Sequence, residues 1–165
     1  MKKLFIGILV VISCLAESVI ASTIFSGTVV AVDDGDTVIV QGLSGEIKKI
    51  RFYGVDTPES EWQGRWPEQP YSNEAKTFVT KYLLNKEVKV RLTGDVTYSR
   101  EVGEVFYRDV SASKELVRKG LAWWNSKYAA GDAALKRLEN IARKQKYGLW
   151  QDANPTPPWE WRRRY

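Results

Sequence analysis

Two short stretches hold the residues whose types and spacing can do chemistry: Asp34-Gly35-Asp36-Thr37 and, fifteen residues after Asp36, Arg51-Phe52-Tyr53-Gly54-Val55-Asp56-Thr57-Pro58-Glu59. The chain has no histidine, so its polar chemistry rests on oxygen donors and guanidinium groups. Carboxylates with carbonyl oxygens suit a hard divalent cation such as calcium, which accepts irregular geometry supplied by two separate loops. The acids are not spaced as in an EF-hand, which gathers its ligands within one twelve-residue loop closed by a glutamate. Taken alone, two acids flanking a glycine describe an ordinary solvated β-turn. The second cluster changes that balance. Pro58 restricts Thr57 to extended geometry, so the loop is stiff and holds Asp56 and Glu59 in fixed relation. A metal-bound phosphate needs charge neutralisation, a positioned water and a base, and Asp34, Asp36, Asp56, Glu59 and Arg51 contain all three. An ordinary glutamate is ionised at neutral pH and accepts a proton without special tuning, as a weak base that makes metal assistance the more necessary.

These residues need a scaffold that brings the two stretches together. The 165 residues, 44% hydrophobic and 12% aromatic, are enough for one core and one domain. The 25 Lys+Arg against 20 Asp+Glu, net +5 with a pI near 9.3, favour a polyanionic partner. Residues 1–21 read as a signal peptide. Lys2 and Lys3 precede the apolar run Leu4 to Ile12, and cleavage after Ala21 leaves residues 22–165 as a single domain. Glu17 interrupts the apolar run well short of the roughly 20 residues of a membrane span. A rival reading takes Val11-Ile12-Ser13-Cys14 as a lipobox, which would leave an acylated Cys14 and a membrane-tethered product. Cys14 is the one cysteine, so the chain cut after Ala21 is without disulfides.

From Ile24 to Leu92 the pattern is mainly of strands. Ile24 to Val32 is rich in β-branched residues and ends at the turn Asp33-Asp34-Gly35; Thr37 to Val40 follows, and Gly42-Leu43-Ser44-Gly45 forms a hairpin loop. From Glu46 to Tyr53, period two puts Arg51 on the face opposite Ile50 and Phe52. Glu59 to Tyr71, with Trp62 and Trp66, reads as a loop in which the tryptophans pack under the chain. A helix follows, capped by Ser72 or Asn73 and presenting Ala75, Phe78, Val79, Tyr82 and Leu83 on one face. Glu87 to Leu92 is a fourth strand and Val102 to Val110 a weaker fifth. Ser113 caps a short helix that stops at Gly120. A longer helix from about Asp132 to Lys146 carries Leu135, Leu138, Ile141 and Ala142 and ends at Gly148. From about residue 151 the chain is a basic Pro/Trp-rich tail, expected to be extended and, at Arg162-Arg163-Arg164, solvated. Five short strands and about three helices, strands mostly first, predict an α+β fold built on a small closed or partly closed barrel.

The chain resembles the staphylococcal nuclease (thermonuclease) family in Val32-Asp33-Asp34-Gly35-Asp36-Thr37-Val38, in Arg51 to Glu59, in Tyr98-Ser99-Arg100, in Leu116-Val117-Arg118-Lys119-Gly120-Leu121-Ala122 and in Tyr147-Gly148-Leu149-Trp150. The resemblance implies a five-stranded OB-type barrel with three helices. It also implies an exported calcium-dependent endonuclease, secreted or periplasmic, that cleaves DNA and RNA to leave 3′-phosphate ends, as a monomer without a stable protein partner. It implies that Asp36, Asp56 and the Thr57 carbonyl hold calcium, with Asp34 in support. By the same resemblance Glu59 would orient or deprotonate water, while Arg51 and Arg100 would grip the phosphate. Tyr98 and Tyr128 would contact the nucleotide, their other reading being half-buried aromatics. The family pattern has glycine where Ser99 stands, and an acid and a basic residue where Val96 and Thr97 stand. A noncatalytic nucleic-acid-binding module on the same barrel is the alternative; such modules lose several site residues, whereas Asp36, Arg51, Asp56, Glu59 and Arg100 are all present.

Overall fold

Alternating apolar residues decide which face of each strand enters the core. A computed structural model describes residues 23–61 and 63–165. The signal-peptide and Cys14 readings, and Trp62, lie outside the described residues. Strand β1 (Ile24–Asp34) pairs antiparallel with β2 (Thr37–Gly42), and β2 with β3 (Ile47–Phe52). β4 (Val55–Asp56) is a two-residue strand, and helix α1 (Ser72–Leu83) precedes β5 (Glu87–Thr97) and β6 (Arg100–Tyr107). β1 also pairs with β5, β5 with β6, and β6 closes onto β3 in parallel, so five strands form a closed barrel of OB type. Val29, Val38, Val40, Ile50, Phe52, Val88, Val90 and Val105 fill it. Short β7 (Val110–Ser111) leads into α2 (Ala112–Arg118); β8 (Trp123–Trp124) pairs with β4; α3 (Ala133–Lys144), a 3₁₀ turn (Gly148–Gln151) and α4 (Pro158–Arg164) complete the described chain. The fold is therefore α+β, as expected, with one more helix than the three anticipated.

The local expectations differ from the structure in five places. Helix α3 ends at Lys144, its last turn closed by Lys146 at φ 54° and not by Gly148, which opens the 3₁₀ turn. Ser72 does not cap α1. The residue before the helix is Tyr71, in the left-handed region at φ 73°, and the Ser72 hydroxyl is buried without a hydrogen-bond partner among the described residues. Ser111, not Ser113, caps α2 by accepting from the Lys114 N–H, because Ser113 turns inward to donate to the Tyr53 carbonyl at 2.8 Å. Ile141 is exposed, and α3 instead buries Leu135, Glu139 and Ala142. The tail is not extended to its end: after Pro157 it forms α4, with Pro158 in the first turn, where its missing N–H costs nothing. Asp132 does cap α3, accepting from the Ala134 and Leu135 N–H groups.

A second, smaller core of Trp123, Ala142, Leu149 and Trp150 ties α3 and the 3₁₀ turn to β8. Gly120 and Gly148 pass each other there backbone to backbone, and the Leu149 N–H donates to the Gly120 carbonyl at 2.8 Å. Gly120 has φ +67°, and a Cβ on it would meet the Tyr147 carbonyl oxygen at 2.1 Å. Gly120→Ala therefore combines left-handed strain with a clash against rigid backbone and is expected to cost at least about 3 kcal/mol. Urea unfolding with an unchanged slope and a lowered midpoint checks this; a midpoint within error of the parent's would refute it.

Candidate active site

Register carries the first arginine to the first acid. Thr37 opposes Arg51 across β2 and β3, so Asp36, one residue earlier at the mouth of the β1–β2 turn, meets the Arg51 side chain on the face away from Ile50 and Phe52. The turn is held by the Asp34 carboxylate, which accepts from the Asp36 N–H at 2.9 Å. Gly35 lets that turn lie against the next loop, since a Cβ there would come within 2.8 Å of the Thr57 hydroxyl oxygen and of the Ala75 methyl group. The second oxygen of Asp36 accepts the Thr57 N–H at 3.1 Å, locking the loop that carries Asp56 and Glu59 onto the turn that carries Asp34 and Asp36.

Arg51 then spans both acids. One Nη lies 2.5 Å from Asp36 Oδ1 and the other 2.6 Å from Asp56 Oδ1. The two carboxylates are buried, and the guanidinium is 17% exposed. A planar fork with two parallel donors makes such a bridge; an ammonium has no equivalent geometry. Arg100 approaches from the start of β6, donating to Thr37 Oγ1 at 3.2 Å and to the Thr97 carbonyl at 3.4 Å. It has no carboxylate partner among the described residues, which leaves a guanidinium beside the acids available to an anion.

The electrostatics separate the acids by role. Burial alone would raise the Asp36 carboxyl, but Arg51, the Thr57 N–H, Arg100 and the Thr37 hydroxyl together hold it below its ordinary range. Burial and the adjacent Asp36 charge push Asp34 up to about 7. Glu59 is also pushed up to about 7, chiefly by burial and further by Asp56 and Asp36. The expectation of an untuned glutamate is thereby corrected: the fold places Glu59 where its proton affinity suits a base working near neutrality. Burial opposes the charge on Arg51, but Asp36 and Asp56 raise its pKa above the ordinary value, so it stays charged.

Of the residues singled out by sequence, Asp34, Asp36, Arg51, Asp56, Thr57, Glu59 and Arg100 fall in one neighbourhood. Tyr98 and Tyr128 are exposed, not half-buried, and neither shares a hydrogen bond with that group among the described residues. Tyr98 and Ser99, at φ 46° and 61°, form the two-residue turn between β5 and β6, both in the left-handed region that hairpin turns of this length require and glycine adopts most easily. Trp66 pins the loop after Glu59 by donating from Nε1 to the Ser60 carbonyl.

Two residues of the site escaped the sequence reading. Gln69 is buried; its side-chain oxygen accepts the Glu59 N–H at 3.0 Å and its own N–H donates to the Glu59 carbonyl at 2.9 Å. Arg162, expected in solvent, instead pairs with Asp56 and Glu59. The signal that points to it is the flanking pair Trp159 and Trp161, apolar anchors in a tail otherwise polar and proline-rich. Among the described residues no three acidic, histidine or cysteine side chains are grouped so as to hold a metal ion by themselves. An ion here would be held by fewer carboxylates and would complete its shell with carbonyl, water and substrate oxygens.

The family model described as "Staphylococcal nuclease homologue" matches residues 49–152, a span that contains Arg51, Asp56, Glu59 and Arg100. Asp36 and Arg162 lie outside it and belong to the site by geometry. The chain is 37% identical to an uncharacterized endonuclease of Escherichia coli O157:H7 over 139 residues, covering 84% of this chain and 85% of the relative. It is 37% identical to the staphylococcal-like nuclease CAN1 of Arabidopsis thaliana over 70% of this chain and 33% of that protein. It is also 38% identical to a probable endonuclease, LCL3, of Komagataella phaffii over 70% of this chain and 54% of the relative. With the barrel, the two carboxylates bridged by Arg51 and matches of this extent, the chain belongs to the staphylococcal nuclease family.

Proposed function

We propose that this phosphodiester-hydrolysing nuclease is an exported, calcium-dependent endonuclease that cuts both DNA and RNA and leaves 3′-phosphate ends. The observation that carries the reading is Arg51 bridging Asp36 and Asp56 beside Glu59 and Arg100, residues from three separate parts of the chain. The donor set fits a hard cation: Asp36 and Asp56 are buried carboxylates on loops locked together through Thr57, and they with the Thr57 carbonyl would hold calcium. When bound, calcium would polarise the phosphate and acidify water.

The protein's own residues supply the rest. Arg100, without a carboxylate partner among the described residues, takes a non-bridging phosphate oxygen, and Arg51, kept charged by the acids, faces the same anion. Glu59, its carboxylate held near a neutral pKa, accepts the proton of the attacking water as oxygen bonds to phosphorus and the P–O5′ bond breaks, the departing 5′-oxygen taking a proton from solvent. The roles proposed for these residues address phosphate and water, which DNA and RNA share, and this supports a substrate range that includes both. The lysine-flanked apolar leader supports export.

Protein lacking residues 1–21 is expected to degrade plasmid DNA and RNA with calcium and to stop when a chelator is added. Its fragments should ligate only after the 3′-phosphate is removed and the 5′-hydroxyl is phosphorylated. Cleavage that persists in chelator would overturn the calcium assignment, and fragments ligatable without phosphatase would overturn the end-group assignment. Mass spectrometry of exported protein is expected to find Ser22 at the N-terminus; an acylated Cys14 would place the product on a membrane instead.

A further inference from the structure

The C-terminal segment lies beyond the stretch matched by the family model, yet it is docked onto the site by specific contacts. Trp159 packs edge-on against Trp123 at 5.8 Å between ring centres, and Trp123 is the strand partner of Asp56. Trp161 Nε1 donates to the Pro67 carbonyl at 3.0 Å. Gln69, whose side-chain oxygen and backbone N–H hold both sides of the Glu59 backbone, donates from Nε2 to the Thr156 carbonyl at 2.6 Å. The tail is thus joined to Asp56 and to Glu59 before its basic residues are considered.

Only one of the three terminal arginines faces the acids. Arg163 folds back to the Trp159 carbonyl, and Arg164 reaches Glu160 along α4. Arg162 places Nη2 3.0 Å from Asp56 Oδ2 and Nη1 on Glu59 Oε1. Asp56 is consequently shared: Arg51 bonds its Oδ1 at 2.6 Å, while Arg162 bonds its Oδ2 at 3.0 Å and reaches Oδ1 at 3.4 Å. At 35% exposed, against 17% for Arg51, the Arg162 side chain lies at the rim. Two neighbouring carboxylates repel, and a glutamate side chain has free torsions to turn away from an aspartate beside it. A guanidinium fork with one arm on each removes both the repulsion and that freedom.

We propose that Arg162 is a positioning residue of the active site, its guanidinium delivered by the C-terminal helix to hold the Glu59 carboxylate in register with Asp56. The inference rests on the nuclease reading above. The arginine acts through Glu59, and its effect is on turnover rather than on substrate affinity.

The test compares the parent lacking residues 1–21 with Arg162→Ala, Arg162→Lys, Glu59→Gln and the double variant Arg162→Ala/Glu59→Gln, with Arg164→Ala as a control, using calcium and a defined single-stranded DNA oligonucleotide. Misplacement of a catalytic group by about 1 Å costs on the order of 10²-fold, and a kcat loss of that size, with KM changed by less than about threefold, is expected for Arg162→Ala. Lysine, with one point charge, should recover only a small part of it. In the Glu59→Gln background, Arg162→Ala should cost little more, because coupled residues are non-additive. Arg164→Ala should match the parent, and all variants should keep its melting temperature within a few degrees. The proposal is overturned by an unchanged kcat in Arg162→Ala, by a raised kcat, which would make the arginine an obstruction, or by a loss that keeps its full size without Glu59. An inactive parent would bring down the nuclease reading and this one with it; an active parent with an indifferent Arg162→Ala would bring down this one alone.

Discussion

Glu59→Gln is expected to lower kcat about 10²- to 10⁴-fold, the range contributed by a positioned general base, while leaving the barrel folded. Glutamine keeps the size of the side chain and the backbone hydrogen bonds to Gln69, but its amide accepts no proton from water. The pH dependence gives an independent check. Glu59 is raised from 4.5 to about 7, first by burial and then by Asp56 and Asp36, with Arg162 opposing. A base must be ionised to act, so the parent's kcat/KM falls as pH drops through that value. A divalent cation held, as proposed, by Asp36 and Asp56 would offset the two neighbouring charges and put the acid limb between 4.5 and about 7 with calcium present. Stability reports the same group from the other side. A carboxyl whose folded pKa exceeds its unfolded value contributes stability fully present below 4.5 and lost as pH rises through about 7. Urea unfolding in chelator from pH 4 to 8 should show that decline in the parent and a shallower one in Glu59→Gln. A variant that retains both the parent's turnover and its acid limb would remove Glu59 from the mechanism.

Arg51→Met is expected to be the most damaging single change to fold and activity together. Asp36 and Asp56 are 2% and 1% exposed, and Arg51 bridges both. Removing one partner of a buried pair strands the other charge, a loss of about 3–5 kcal/mol. Methionine retains the apolar stem, which isolates the charge from the packing. Because Arg51 is also proposed to face the phosphate, kcat should drop by about 10²-fold or more, the scale set by loss of one preorganised donor. Arg51→Lys should restore only part of either property, since an ammonium does not span two carboxylates. The sign with pH follows from Asp36: burial raises its pKa, Arg51 and its other partners more than reverse that, and the folded value lies below 3.8. That group's stabilisation is present above 3.8 and lost as pH falls through the lowered value. The gap in unfolding free energy between parent and Arg51→Met must therefore be widest near neutrality and narrow in acid. Equal stability of the two at pH 7 would show that burial of the acids cancels the value of the bridge.

Much of the site was legible because its determinants are local. Period two in Lys49-Ile50-Arg51-Phe52 sends Arg51 away from the core whatever the strand pairs with, and Pro58 stiffens its own neighbours. Asp132 caps α3 from within one turn. Capping of α1 and α2 went differently because Ser72 and Ser113 are buried by tertiary contacts, which override a cap preference worth about 1 kcal/mol. The two properties that most define the site are not local. The pKa of Glu59 is set mainly by how deeply the assembled loop is buried, and burial is a property of the whole fold. The final helix is seven residues long, too short to persist alone, so its residues read as extended until Trp159 meets Trp123 and Trp161 meets the Pro67 carbonyl 94 positions earlier. The sequence by itself determined which residues have the chemistry and which strand face carries Arg51. Only the tertiary structure decided that Arg162, 106 positions from Asp56, shares the same acids, because Trp159 and Trp161 mark the tail as anchored but nothing local says where it docks.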